Sequence, residues 1–80
     1  MKKIFEVMYN GHHIQVENRW FSGEKLYIDG QLQDENLGLS MRANLYGQLK
    51  NKNRIKVSIG GVFKINCTIF VDNTLIYQSS

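Results

Sequence analysis

The chain has 80 residues, 42% of them hydrophobic and 11% aromatic, which fits one globular domain and excludes a disordered segment. Its net charge of +3 is mildly basic and by itself does not mark a nucleic-acid binder. Apolar runs of about three or four residues fall far short of the roughly 20 that cross a bilayer, so no membrane partner is expected.

The opening Met1-Lys2-Lys3-Ile4-Phe5-Glu6 starts like a signal peptide, but Glu6 and Asn10 interrupt any apolar stretch that would complete one. From there the dominant signal is period-two alternation broken by short turns. Ile4 to Tyr9 is strand-like, and Asn10-Gly11 is a strong hairpin signal because both residues tolerate positive φ. His12 to Glu17 returns, with Ile14 and Val16 on one face and His13, Gln15 and Glu17 on the other. Residues 18–21 fit no single class, and Ser22-Gly23 reads as a turn. Glu24 to Ile28 is a short strand, Asp29-Gly30 a second tight turn, and Gln31 to Asp34 the return strand around Leu32. Asn36-Leu37-Gly38 breaks the pattern.

Leu39 to Leu49 alternates Leu39, Met41, Ala43 and Leu45 with Ser40, Arg42, Asn44 and Tyr46, which predicts a strand. Its residue types also favour helix, but the apolar positions do not recur at three and four. Gly47 suggests a bulge or bend. Lys50 to Asn53 is a polar loop, Arg54 to Ile59 alternates cleanly, and Gly60-Gly61 reads as a turn. Val62 to Val71 predicts a long strand with Phe63, Ile65, Cys67 and Ile69 on one face. Asp72-Asn73 turns the chain and Thr74 to Tyr77 closes it. Two-residue connections join antiparallel neighbours. The expected fold is an all-β antiparallel meander of about seven or eight strands, forming a small β-sandwich or a flattened barrel.

Sliding the chain against itself by 43 positions lays Ile14 and Val16 on Val57 and Ile59, and Trp20 on Phe63. Tyr27-Ile28-Asp29-Gly30-Gln31-Leu32 falls on Phe70-Val71-Asp72-Asn73-Thr74-Leu75. Apolar meets apolar and turn meets turn, which suggests two similar three-strand units within residues 1–80, at about 12–34 and 55–77. Chance similarity between hairpins competes with that reading.

The run His12-His13-Ile14-Gln15-Val16-Glu17, then Ser22-Gly23, then Tyr27-Ile28-Asp29-Gly30 resembles the repeated β unit of the Fas apoptotic inhibitory molecule family. Phe63, Thr68, Ile69 and Val71-Asp72-Asn73 resemble its second hairpin set, so the likeness spans about positions 12 to 77. The matching positions are strands and turns. The segment between Ser22-Gly23 and Asp29-Gly30 departs by looking one residue short. The resemblance implies a compact β-sandwich without a catalytic centre, and no binding motif of the family is visible here to imply a ligand.

No reactive constellation stands out. His12 and His13 are adjacent on a strand, point to opposite faces and so do not share a metal. Cys67 lies in an apolar alternation, where a thiol is buried and inert; a lone cysteine allows no internal disulfide and suits a reducing cytoplasm. Asp29 and Asp72 occupy hairpin turns, and Glu24, Asp34 and Glu35 look like solvated edges. No catalytic residue, metal or cofactor is therefore expected. The candidate binding surface is the cationic cluster of Lys50, Lys52, Arg54 and Lys56, with Lys2, Lys3 and Arg42 as further members and Tyr46 or Trp20 as stacking surfaces. A charged loop and edge that blocks edge-to-edge aggregation is the simpler account of it. Phe21, outward beside Arg19 if Trp20 is core, adds a binding hint. These features point to a non-catalytic module that binds a protein partner or a second copy of itself, with nucleic acid held by residues 50–56 as the alternative.

Overall fold

A computed structural model describes residues 2–19, 22–38, 42–61 and 64–79. They form eight strands: β1 (Lys2–Tyr9), β2 (His12–Arg19), β3 (Gly23–Ile28), β4 (Gln31–Leu37), β5 (Arg42–Gln48), β6 (Arg54–Gly60), β7 (Asn66–Val71) and β8 (Thr74–Gln78). Every neighbouring pair is antiparallel. The strands lie in chain order in two four-stranded sheets, β1–β4 and β5–β8, so the fold is not a closed barrel.

The turns expected from sequence set this order. Asn10-Gly11 has φ of 48° and 79°, Asp29-Gly30 52° and 82°, and Asp72-Asn73 48° and 67°. Paired positive φ values give the turn twist that matches antiparallel strands. The inner faces of the two sheets share one cluster. Phe5, Ile14, Val16, Leu26 and Ile28 come from the first sheet, and Leu45, Ile55, Val57, Ile59, Cys67, Ile69 and Val71 from the second, with Leu49 and Ile65 beside it. Each fully buried aliphatic side chain there contributes about 1.5–3 kcal/mol.

Several expectations need correction. Asn36 and Leu37 do not end the strand: they pair with Glu24 and Gly23 inside β4. A register shift opposite Leu26 and Tyr27 puts an extra residue in β4, reversing its alternation and hiding it from a period-two search. Gly60 belongs to β6, and β7 starts only at Asn66, so Val62 to Val71 is not one long strand. Gly47 makes no bulge but pairs with Ile55. A Cβ there would lie 3.0 Å from Ile28 Cδ1 and 3.1 Å from Leu26 Cδ2, so this glycine lets β5 approach the first sheet. The strand over 42–48 agrees with the alternation; Leu39, Ser40 and Met41 lie outside the described residues, as do Trp20, Phe21 and Phe63.

The two sheets are built alike. Leu26 pairs with Asp34 and Tyr27 with Leu32; Ile69 pairs with Tyr77 and Phe70 with Leu75, so the register shifts at corresponding places. The 43-residue offset that relates these strands does not extend to β2. Val16 pairs with Leu26 as Val57 pairs with Ile69, so Ile14 and Val16 correspond to Ile55 and Val57. The connection after β6 is longer than the one after β2 and absorbs the difference.

Candidate functional site

Each sheet clamps its last turn with an aspartate. Asp29 accepts the His13 backbone N–H at 2.9 Å and lies 2.7 Å from His12 Nδ1. Asp72 accepts the Arg54 backbone N–H at 2.9 Å and the Asn53 side-chain amide at 2.6 Å. The His12 ring and the His13 N–H hold the Asp29 carboxyl below its usual range. The Arg54 N–H and the Asn53 amide do the same for Asp72. These carboxylates serve the backbone, as their turn positions suggest.

The other chemistry-bearing residues are dispersed. The His13 ring reaches Glu6 at 2.9 Å on the opposite face of β2 from His12, so the two imidazoles part as expected. His12 and Asp29 line an open cleft of about 200 Å³ with Gln31, Gln33, Gln48 and Lys50, and Cys67 is not among its walls. Cys67 is buried in the core, and burial pushes its thiol up to about 12. Among the described residues no three His, Cys, Asp or Glu side chains gather as metal ligands.

Glu24 is not a solvated edge. It is 4% exposed on the inner face of β3, where the Asn18 side-chain amide donates to one carboxylate oxygen at 3.0 Å and the Asn36 amide to the other at 3.1 Å. Asp34 is half-buried and accepts the Tyr46 backbone N–H at 2.9 Å, tying the edge of β5 to the first sheet. Glu35 is exposed, as expected. The bulge in β4 explains the misreading of Glu24, because it aims Asn36 inward to meet the carboxylate.

The outer face of the second sheet gathers most of the cationic candidates. Arg42, Asn44, Tyr46 and Gln48 alternate outward on β5, with Arg54, Lys56 and Ser58 beside them on β6. Tyr46 lies opposite Lys56, Lys56 opposite Phe70, and Phe70 opposite Leu75, making one row across all four strands. A neighbouring row runs Asn44, Ser58, Thr68, Gln78. Lys50 and Lys52 sit in the loop that joins β5 to β6. An open cleft of about 460 Å³ is lined by Tyr46, Arg54, Ile55, Lys56, Asp72 and Asn73. Lys2 and Lys3 do not join this surface: they lie on β1 of the first sheet, and the Lys3 ammonium donates to the Ile65 carbonyl at 3.4 Å.

Four features set this region apart. None of the described residues on its four strands that point outward is a carboxylate; Asp72 lies at the β7–β8 turn, and Asp34 of the first sheet meets the Tyr46 backbone at the edge. Residues 1–38 carry four Lys or Arg against six Asp or Glu, whereas residues 39–80 carry six against one. On the first sheet the charges pair internally, Arg19 with Glu17 at 2.6 Å and His13 with Glu6. The side chains of Lys50, Lys52, Arg54 and Lys56 make no hydrogen bond or ion pair with another described residue. Finally, Lys52 takes φ 67°, while the other described non-glycine residues with positive φ are all Asn or Asp. A lysine there costs about 1–2 kcal/mol over an ordinary conformation. The three-residue loop, in which the Lys52 N–H donates to the Leu49 carbonyl at 2.9 Å, calls for a left-handed residue at that position.

Phe70 was missed because attention to the buried face of β7 passes over the residue between Ile69 and Val71; its alternate position was the available signal. Compared with protein-family models, with curated proteins and with solved structures, the chain finds no match.

Proposed function

We propose that this domain is a non-catalytic binding module whose working surface is the outer face of the second sheet and whose ligand is nucleic acid. The observation that carries the reading is a set of cations, Lys52, Arg54 and Lys56, that form no ion pair with a described residue and stand beside exposed Tyr46, on a face whose described outward residues include no carboxylate. Cations that form no hydrogen bond or ion pair with another described residue suit a phosphate backbone, whose binding releases condensed counterions. Binding measured by fluorescence anisotropy should weaken steeply as salt rises. Replacing Lys52 and Arg54 with Ala should lower the slope of log affinity against log salt by about 2. Salt-independent binding, or an unchanged slope in the variant, counts against the proposal.

A second reading keeps a protein partner or self-association. It rests on Ile4, Met8, Leu32 and Leu37, which are exposed on the outer face of the first sheet. Light scattering that shows a concentration-dependent dimer, lost on Met8→Lys, would support it; a strict monomer would not. Kinship with the Fas apoptotic inhibitory molecule family belongs to the same proposal. Its support is the run His12–Glu17 with Tyr27-Ile28-Asp29-Gly30 and Val71-Asp72-Asn73, and it offers a non-catalytic β-sandwich as precedent without naming a ligand. A cytoplasmic setting, proposed from the lone Cys67, is compatible with either ligand.

A further inference from the structure

We propose that the strand bound here is single, with bases resting on Tyr46 and Phe70 and phosphates held by Lys52, Arg54 and Lys56; this rests on the nucleic-acid reading above. Shape decides first. The major groove of duplex DNA is about 12 Å wide and admits a helix or a two-stranded ribbon. Four strands at about 4.8 Å spacing span about 14 Å before their side chains are added, so this face cannot enter the groove. Against a duplex it would reach only backbone phosphates and leave its aromatic rings unused.

A single strand presents unstacked base faces, and any base can stack on a ring. Tyr46 is 56% exposed and Phe70 half-buried, and they stand two strands apart in one row with Lys56 between them. Two strand spacings are about 10 Å, and the intervening ammonium lies where a backbone phosphate would pass. The platform is held still. Tyr46 is anchored through its backbone N–H to Asp34, and the Thr68 hydroxyl donates to the Ser58 carbonyl at 3.4 Å across the adjoining row. Asn44 and Gln78 in that row offer amide groups to base edges. Arg54 and Lys52 flank the row on the turn side, placing further positive charge along the path of the strand.

The test uses the full chain and four probes: a short fluorescein-labelled single strand, its duplex, an abasic strand of equal length, and polyglutamate. The single strand should bind about tenfold tighter than duplex or abasic strand, because stacking adds about fivefold or more per base. Tyr46→Ala should weaken the single strand about fivefold and leave the abasic strand unchanged, while Tyr46→Phe restores binding. Tyr46 points away from the core, so its removal leaves the fold intact. Equal affinity for duplex, abasic strand or polyglutamate overturns the inference, as does Tyr46→Ala without effect. If salt-dependent binding to nucleic acid survives and polyglutamate binds more weakly, the nucleic-acid reading stands and only the single-strand assignment falls; if polyglutamate binds equally, both fall. If none of the nucleic acids binds at low salt, both fall.

Discussion

The two sheets share strand order, bulge position and aspartate clamp, yet differ at corresponding places on both faces. Across the inner end of the first sheet stand Asn18, Glu24 and Asn36, linked by hydrogen bonds. The corresponding positions of the second sheet hold Ile59, Cys67 and Ser79, with the Ser79 hydroxyl accepting the Cys67 N–H at 2.8 Å. On the outer faces the contrast runs the other way: Arg19 pairs with Glu17 on the first sheet, whereas Arg54 and Lys56 on the second form no ion pair with a described residue. Backbone geometry therefore fixes what must be common, namely turns, register and clamps. Side chains are free to specialise elsewhere, the first sheet spending polarity inside and the second displaying it outside.

The strongest way to break the comparison is to exchange residues at Gly23 and Asn66, which begin β3 and β7. Gly23 has φ 104°, and a Cβ there would run into the Asn36 carbonyl; Asn66 has no such constraint. Gly23→Asn should cost about 3 kcal/mol or more in a denaturant titration, whereas Asn66→Gly should cost about 1 kcal/mol or less. Equal costs would mean that the two strands begin alike after all.

Next comes the inner triad. Glu24→Met leaves the buried Asn18 amide and the half-buried Asn36 amide without their acceptor and should cost about 2–4 kcal/mol. Installing the second sheet's residues together, Asn18→Ile with Glu24→Cys and Asn36→Ser, should return stability to within about 1 kcal/mol of the parent, because a buried polar network can be replaced whole more cheaply than broken. Asn18 Oδ1 is buried with no hydrogen-bond partner among the described residues, which adds to the gain from replacing the network. A triple variant worse than Glu24→Met would refute this account of the triad.

How much of this was legible follows the same division. Asn10-Gly11, Asp29-Gly30 and Asp72-Asn73 announced their turns because positive φ demands those residue types, and the alternations at Ile14–Val16 and Ile55–Ile59 announced the core. Glu24 was illegible because a carboxylate reads as solvated until its partners are known. Asn36 reached it only through a bulge that period-two reasoning cannot foresee. The surface made by Arg54, Lys56 and Tyr46 was legible in part, since alternation put the two cations on one face; Phe70 joins them only through strand pairing.

Smaller effects sharpen the contrast between hairpins. The first sheet turns β1 into β2 with Asn10-Gly11, while the second places strained Lys52 in the corresponding loop. Lys52→Gly should raise stability by about 0.5–1 kcal/mol by relieving its φ. The same change should lower the salt slope of nucleic-acid binding by about 1. Smallest are the clamps. Asp29 and Asp72 both have folded-state pKa values below the ordinary 3.8, so each adds stability above that pH and loses it as pH falls through the folded value. Asp29→Asn with Asp72→Asn should therefore flatten the acid side of the stability profile.

The most direct measurement is an amide NMR titration of the full chain with a short single strand at low salt. Shifts should concentrate at Tyr46, Lys52, Arg54, Lys56, Thr68 and Phe70 and spare Gln15, Lys25 and Tyr27 on the opposite sheet. Perturbation centred on the first sheet, or spread evenly over both, would contradict the assignment of the second sheet's outer face as the working surface.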